Sequence, residues 1–172
     1  MKIKRIITGD LLENCYILVE DNNVLVVDPG SDIEKILKEI KNYNLVGILI
    51  THYHFDHVGV LNDLIKYREV PIYNFKSDKN INIDNFSFEI IKTPGHTSDS
   101  VTFYFKKYNT MFTGDFIFKR TIGRTDLETG SFTEMKKSIE KIKNYDANII
   151  LYPGHGDDTT LEEEIKYNYF FT

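Results

Sequence analysis

Apolar positions along the first fifty residues follow strand spacing, then helix spacing, then strand spacing again. Cys15–Glu20 and Val24–Asp28 are β-branched and apolar runs, and the polar residues Asp21–Asn23 between them predict a hairpin turn. Isoleucine and leucine then recur at helical spacing, which predicts a helix over Ser31–Lys41 that begins with a serine N-cap. Val46–Ile50 is a continuous apolar run of strand length, typical of a buried strand.

The second half of the chain continues this alternation. The polar segment Asn80–Asn85 is predicted to be a loop. Interleaved strands and helices indicate an α/β or α+β protein in which both sheet faces are covered. Periodicity and β-branched content predict helices over Val60–Tyr67, Phe132–Ile142 and Leu161–Tyr169, and strands over Pro71–Tyr73, Phe86–Lys92, Val101–Phe105, Thr110–Thr113 and Asn148–Leu151.

The composition narrows the class of protein further. A chain of 172 residues with 41% apolar and 27% charged residues has the size and balance of one globular domain, here residues 1–172. Cys15 is the only cysteine, so no internal disulfide forms and a reducing compartment is expected. A net charge of −5 without a lysine or arginine cluster argues against nucleic-acid binding. With no membrane-length apolar run and no signal-peptide core, we expect a cytoplasmic protein.

All five histidines of the chain lie at or just beyond the end of a predicted strand. Three occur within Thr51–His57, and the other two each follow a Pro-Gly pair. A Gly-Asp pair ending in Asp115 follows the strand Thr110–Thr113 in the same way. Unrelated histidines would scatter over helices and exposed faces, whereas active sites of α/β proteins gather at strand ends. The placement predicts a functional cluster formed by His52, His54, His57, His96 and His155, with Asp115 nearby.

Imidazole and carboxylate side chains are ligands that suit zinc, iron and manganese. We expect His52 and His54 to face one centre, while Asp56 and His57 belong to the next turn and reach a second centre nearby. The residues by themselves therefore indicate a metal site with room for two ions.

These motifs resemble those of the metallo-β-lactamase fold hydrolases. The shared pattern is His-x-His-x-Asp-His, followed by Gly-His, Gly-Asp and Gly-His, and the match extends from Asn14–Tyr16 through Asp28–Gly30 to Gly154–Gly156. Within that family the chain is similar to the short glyoxalase II-like branch, the hydroxyacylglutathione hydrolases without an extra helical domain, and Ile122–Asp126 shares this likeness. The resemblance implies a four-layer αββα sandwich, in which two mixed β-sheets lie face to face with helices outside.

The resemblance also implies two divalent metal ions, zinc in the first place, with iron or manganese as alternatives. In the family a bridging hydroxide attacks a thioester or ester carbonyl, and the catalytic residue matching Asp56 orients it as well as binding metal. A small-molecule thioester or ester is then the substrate. The implied ligands are His52, His54 and His96 for one ion, Asp56, His57 and His155 for the other, and Asp115 as the bridge.

Two further residues are candidates beside the metal ligands. Asp28 either steadies a ligand histidine or only forms the Asp-Pro-Gly turn. Arg124 either binds a carboxylate of the substrate, because glutathione is anionic, or pairs with Asp126. Lys119 and Arg120 are candidates for the same role as Arg124, or are simply solvated.

Several features depart from the family pattern. Ser98–Asp99 replaces the usual Pro-Gly turn after the first Gly-His motif, and Phe116 stands where a small hydroxyl residue is common. We expect no counterpart, within residues 1–172, of the C-terminal domain that carries much of the glutathione site in long glyoxalase II enzymes. Recognition of glutathione therefore stays open.

Three further functions fit the same residues. A mononuclear iron persulfide dioxygenase would use the residues matching His52, His96 and Asp115 as a two-histidine, one-carboxylate triad. A lactone hydrolase would use the same donors as a thioester hydrolase, and so would a metal-binding protein without catalytic activity. The sequence does not decide the oligomeric state, or whether the aromatic C-terminal residues form an interface.

Overall fold

Two mixed β-sheets pack face to face in the computed structural model, which describes residues 1–172. In the first sheet the five strands lie in chain order; strands one to three are antiparallel and strands three to five are parallel. These strands are β1 (Lys2–Thr8), β2 (Glu13–Glu20), β3 (Asn23–Val27), β4 (Asn44–Leu49) and β5 (Ile72–Tyr73).

The second sheet has six strands, which from one edge to the other are β6 (Asn80–Ile83), β7 (Phe86–Lys92), β8 (Val101–Phe105), β9 (Thr110–Gly114), β12 (Ile150–Pro153) and β13 (Thr159–Thr160). Strands β9 and β12 are parallel, and all other neighbours are antiparallel. A separate two-stranded ribbon follows β9 in the chain and consists of β10 (Ile117–Phe118) and β11 (Thr121–Ile122).

Five α-helices accompany the sheets: α1 (Ile33–Ile40), α2 (Phe55–Val58), α3 (Leu61–Tyr67), α4 (Phe132–Ile142) and α5 (Leu161–Tyr167). Two short 3-10 turns occupy Lys106–Tyr108 and Tyr169–Phe171. None of the helices combines the length and the apolar character that a membrane crossing requires.

Apolar side chains fill three layers between these elements. Leu25 of the first sheet and Phe103 of the second belong to the cluster that lies between the sheets. Ile36 of α1 packs with Ile48 on the outer face of the first sheet, and Ile139 of α4 packs on the outer face of the second. Strands buried on both faces carry apolar residues at nearly every position, which explains the continuous apolar run of β4. The predicted αββα sandwich is confirmed.

The start of the first helix differs from the prediction. The helix begins at Ile33, and the residue before it, Asp32, has a left-handed backbone with a φ of 54°. Ser31 is therefore not the N-cap. The Asp32 carboxylate makes no cap hydrogen bond to the helix and instead accepts hydrogen bonds from the Gly9 amide and the Lys35 ammonium. The prediction was wrong because contacts with the β1–β2 turn decide where this helix starts.

The segment predicted as a loop at Asn80–Asn85 contains strand β6. Its alternating Asn-Ile-Asn-Ile sequence pairs with β7 at the edge of the second sheet. Ile81 and Ile83 pack against the core, whereas Asn80 and Asn82 are exposed. The period-two alternation was present in the sequence, but the two asparagines, which strands usually avoid, concealed it. In addition, the last helix ends at Tyr167, two residues earlier than predicted.

Candidate metal centre

The ends of several strands meet at one edge of the sandwich. The loop after β4 carries His52 and His54 and leads into α2, which carries Asp56 and His57. The other three candidates lie in the loops that follow β7, β9 and β12. The structure thus brings together all seven residues that the sequence singled out as metal ligands: His52, His54, Asp56, His57, His96, Asp115 and His155.

Three imidazole nitrogens converge in the first group. The Nδ1 atom of His54 lies 3.2 Å from Nε2 of His52 and 2.9 Å from Nε2 of His96. Ligands at zinc–nitrogen distances of about 2.0–2.1 Å in a tetrahedron are separated by roughly 3.3 Å. The spacing of the three nitrogens therefore matches that of ligands to a single ion.

A second group lies beside the first and contains one carboxylate. Nε2 of His155 is 3.2 Å from Oδ2 of Asp56, and Nε2 of His57 is 3.8 Å from the same oxygen. One oxygen and two nitrogens can thus reach a common centre, a donor set that suits a divalent transition metal.

Asp115 lies between the two groups and offers one oxygen to each. Its Oδ1 atom is 3.2 Å from Nε2 of His57 and 3.7 Å from Nε2 of His155. Its Oδ2 atom is 3.4 Å from Nε2 of His96 in the first group. This is the position that a bridging ligand between two ions requires.

Two buried atoms in this cluster lack any hydrogen-bond partner, namely Nε2 of His57 and Oδ1 of Asp115. They lie 3.2 Å apart, but their geometry does not form a hydrogen bond. An unpaired polar atom in a protein interior is costly, and a bound ion is one of its common explanations. The residues present therefore fit a metal ion at this position.

The outer nitrogens of four histidines are held by neighbouring oxygen atoms. A hydrogen bond at Nδ1 places the proton there and leaves Nε2 free to bind metal. The partners are a carboxylate, a hydroxyl and two backbone carbonyls: Asp28 for His57 at 3.0 Å, Thr51 for His52 at 3.1 Å, Arg124 for His96 at 2.7 Å and Leu11 for His155 at 3.1 Å.

Asp28 is buried directly behind this cluster, and only 2% of its surface is exposed. Besides contacting His57, its carboxylate accepts hydrogen bonds from the backbone amide of Thr51 at 2.8 Å and from the Thr51 hydroxyl at 2.6 Å. The sequence left open whether Asp28 steadies a ligand histidine or only forms the turn. In the structure Asp28 contacts the candidate ligand His57.

Both arginines considered for substrate binding are engaged by other groups of the protein. The Arg124 guanidinium donates to both carboxylate oxygens of Asp126, at 2.8 and 2.9 Å. Arg120 donates to the backbone carbonyl of Glu163 at 2.9 Å and lies over the ring of Tyr167. The part of Arg124 that touches the cluster is its backbone carbonyl, which no pattern of residue types would have indicated.

Electrostatics favours the metal-binding forms of several donors. Burial, together with the surrounding histidines, lowers the pKa of His52 well below its usual value, so the imidazole is neutral. Burial opposes the ionisation of Asp115, but His57 lowers the pKa of that carboxyl below its ordinary value. For Asp56 burial is likewise outweighed by His155, and its pKa is lowered. Both acids are therefore carboxylates at neutral pH.

Two residues of β2 belong to the site although the sequence indicated no role for their side chains. Glu13 is 1% exposed, accepts a hydrogen bond from Thr8 at 2.7 Å, and has Oε1 3.9 Å from Nδ1 of His57. Burial raises the pKa of Glu13 to about 9, although the nearby His57 acts in the opposite direction. The available signal was a polar pair directly before the apolar run Cys15–Val19.

Asn14, the second of these residues, holds the loop that carries His155. Its side-chain amide donates to the carbonyl of Pro153 at 3.0 Å and to that of Gly156 at 2.8 Å. Its backbone amide donates to the carbonyl of Gly154 at 2.7 Å. The first sheet thus fixes a ligand loop of the second sheet.

A pocket of about 390 Å³ opens above the cluster. Five of the seven candidate ligands line it, together with Leu11, Phe55, Arg124 and Leu127. Its size is within the range of small-molecule sites, which is about 300–1,000 Å³. The arrangement can hold a small molecule directly against a metal centre.

Known proteins share this fold and this arrangement of motifs. The family model described as "Metallo-beta-lactamase superfamily" matches residues 8–88 and 79–155, and the chain belongs to this superfamily. The resemblance seen in the sequence is thereby confirmed. Membership of this metallo-hydrolase superfamily, together with the donor set, indicates a metal-dependent enzyme with a small-molecule substrate, and the donors fit a dinuclear metal site.

Individual relatives carry different names. Hydroxyacylglutathione hydrolase GloC of Haemophilus influenzae is 30% identical, over 99% of this chain and 98% of its own. The chain in the crystal structure of BLEG-1 B3 metallo-beta-lactamase is 30% identical to this protein and superposes with a TM-score of 0.95. The match covers 99% of this chain and 100% of that chain. TTHA1623 in a di-iron-bound form is 25% identical, with a TM-score of 0.88 and coverages of 97% and 99%.

Proposed function

We propose that the protein hydrolyses thioesters of the hydroxyacylglutathione type, or related small esters, with two divalent metal ions, zinc in the first place. The observation that carries the proposal is the position of Asp115 between two complete donor groups at the floor of one pocket. The name of the Haemophilus influenzae relative supports this class of substrate.

When bound, two divalent ions supply a hydroxide nucleophile at neutral pH and polarise the substrate carbonyl. In the reaction the oxygen of water forms a bond with the carbonyl carbon. The carbon–sulfur bond then breaks with its electron pair on sulfur, which takes up a proton. The products are a carboxylic acid and a thiol.

Asp56 is the proposed catalytic residue. Its carboxylate lines the pocket, and Oδ2 is held 3.2 Å from Nε2 of His155. A carboxylate in this position accepts a hydrogen bond from the attacking water and orients it toward the carbonyl carbon. The backbone carbonyls of Arg124 and Leu11 keep His96 and His155 in the orientation that this geometry requires.

The second candidate is a mononuclear iron dioxygenase, for which His52, His96 and Asp115 would be the three ligands. What favours two ions is the second donor group of Asp56 and His155 with His57, whose outer nitrogen is held by a carboxylate. The di-iron form of TTHA1623 makes a pair of iron ions the alternative to zinc. The pocket-facing Asp56 argues against a metal-binding protein without catalytic activity.

The test begins with the metal content of protein expressed without added metal, measured by mass spectrometry. We expect about two zinc ions per chain. The loaded protein is then assayed with S-lactoylglutathione and other thioesters, a lactone, nitrocefin and, for oxygen uptake, a persulfide. About one iron per chain with oxygen uptake would replace the proposal by the dioxygenase.

A variant checks the role of Asp56. Asp56→Ala should lower kcat for thioesters by roughly 10²–10⁴-fold or more. Its metal content is measured alongside, and Asp63→Ala on α3 serves as the matched exposed control. Near-normal turnover by metal-loaded Asp56→Ala would remove this residue from the mechanism.

A further inference from the structure

The wall of the pocket is apolar although it faces water. Leu11, Phe55 and Leu127 line the pocket and are 53%, 75% and 37% exposed. Single exposed apolar residues are common, but a group of them around a cavity marks a surface that is covered when a ligand binds. The ligand therefore presents apolar surface on this side.

Two of these side chains are fixed relative to the metal ligands. Phe55 stands between His54 and Asp56 in the chain, so its position is set by theirs. The carbonyl of Leu11 holds Nδ1 of His155 at 3.1 Å, which places the Leu11 side chain beside that ligand. Leu11 and Phe55 are thus attached to the same backbone segments that carry or orient the donors.

Charge on the pocket wall is the second observation. Arg124 is the only lysine or arginine that lines the pocket. Both oxygens of Asp126 accept hydrogen bonds from its guanidinium, so its charge is compensated by a partner 2.8–2.9 Å away. The exposed carboxylate of Asp126 would in turn repel an anionic group brought to the same place.

We propose that the pocket selects thioesters whose acyl and thiol parts are apolar or uncharged, and disfavours thiols that carry carboxylates, such as glutathione. This inference rests on the proposed function and narrows its substrate class to the related thioesters of uncharged thiols, away from those of glutathione. An uncharged thiol covers Leu11, Phe55 and Leu127 without losing hydration of a charge. A carboxylate-bearing thiol finds no unpaired lysine or arginine on the pocket wall to replace the water that it loses.

The experiment compares substrates that share one acyl group. The metal-loaded protein is assayed with S-lactoylglutathione and with S-lactoyl-N-acetylcysteamine, whose thiol part is uncharged. We expect kcat/KM to be at least about tenfold higher for the uncharged thioester. A preference for the glutathione thioester would overturn the inference and leave the proposed function standing. If neither thioester is hydrolysed, both fail.

Two variants test the structural basis of the preference. Asp126→Asn removes the charge that compensates Arg124, so kcat/KM for S-lactoylglutathione should rise severalfold while that for the uncharged thioester stays the same. Leu127→Ser should lower kcat/KM for S-hexanoyl-N-acetylcysteamine about tenfold. Tyr67→Ser, which changes an exposed side chain outside the pocket, is the control. If neither Asp126→Asn nor Leu127→Ser changes these kcat/KM values relative to the wild type, the proposed basis of the preference is overturned.

Discussion

The carboxylate of Asp28 lies 3.0 Å from Nδ1 of His57, on the side of the ring that faces away from the candidate metal centre. The same carboxylate binds the amide and the hydroxyl of Thr51, and the Thr51 hydroxyl oxygen lies 3.1 Å from Nδ1 of His52. One buried carboxylate therefore orients a histidine of each donor group, directly for His57 and through Thr51 for His52.

Asp28→Asn should weaken metal binding by about 10–100-fold, because the outer partner sets the orientation and basicity of a ligand histidine. Asparagine tolerates the left-handed backbone of Asp28, whose φ is 49°, so the variant leaves the turn intact. Metal affinity is measured by competition with a chelator. Asp32→Asn, at an exposed position with a similar φ of 54°, is the matched control, and an equal affinity in both variants would contradict the prediction.

Asn14→Asp should reduce the metal content from two ions toward one. The substitution keeps the shape of the side chain but removes the donors to Pro153 and Gly156, whose carbonyls hold the loop of His155. Pro153 and Gly156 keep the Tyr16 hydroxyl and the Arg5 guanidinium as donors. The new carboxylate oxygen, however, faces both carbonyls without a hydrogen to donate, which costs about 1–3 kcal/mol, so the loop is expected to move. Metal content and the free energy of unfolding are measured together. Asn144→Asp, an exposed asparagine after α4, is the control; full metal content in Asn14→Asp would show that the loop holds His155 without this residue.

Gly154→Ala should abolish binding of one metal ion. A methyl group there would overlap Oδ1 of Asp115 and lie 2.6 Å from Cε1 of His57. Gly156→Ala is the paired control, because its methyl group meets nothing within 4 Å and only the positive φ of 76° costs about 1 kcal/mol. The measurement is metal content in both variants, and similar values for the two would refute the prediction.

The stability of the fold should depend on pH through Glu20. Partial burial raises the pKa of Glu20, but hydrogen bonds from Lys107 and Tyr108 outweigh it, and the pKa lies below its ordinary value of 4.5. The ionised carboxylate therefore stabilises the folded state above about pH 4.5, and this stabilisation is lost as the pH falls through the lowered pKa.

Urea unfolding of Glu20→Gln checks this dependence. At pH 7 the variant should be less stable than the wild type by about 1 kcal/mol. At pH 3 the difference should shrink, since the wild-type carboxyl is then partly or fully protonated. A constant difference at both pH values would mean that packing, and not charge, accounts for the effect.

Much of the centre could be predicted from the sequence because its donors are chemically distinctive and lie at strand ends. Histidine and aspartate bind metal through their own side chains, and the position of His96 or His155 after a Pro-Gly pair is a local feature of the chain. Apolar periodicity is also local, so most strands and helices followed from it. The strand at Asn80–Ile83 was not predicted, because pairing with β7, and not local preference, makes this segment a strand.

The sequence by itself predicted the candidate donors and, through its resemblance to known hydrolases, the layered fold and the family. Only the tertiary structure decided how the donors are oriented, because the partners that do so are distant in the chain or are backbone atoms. Asn14 reaches Pro153 across 139 positions, and the carbonyls of Leu11 and Arg124 hold His155 and His96. A backbone carbonyl is common to every residue type, so its role depends on where the fold places it and leaves no mark in the order of amino acids.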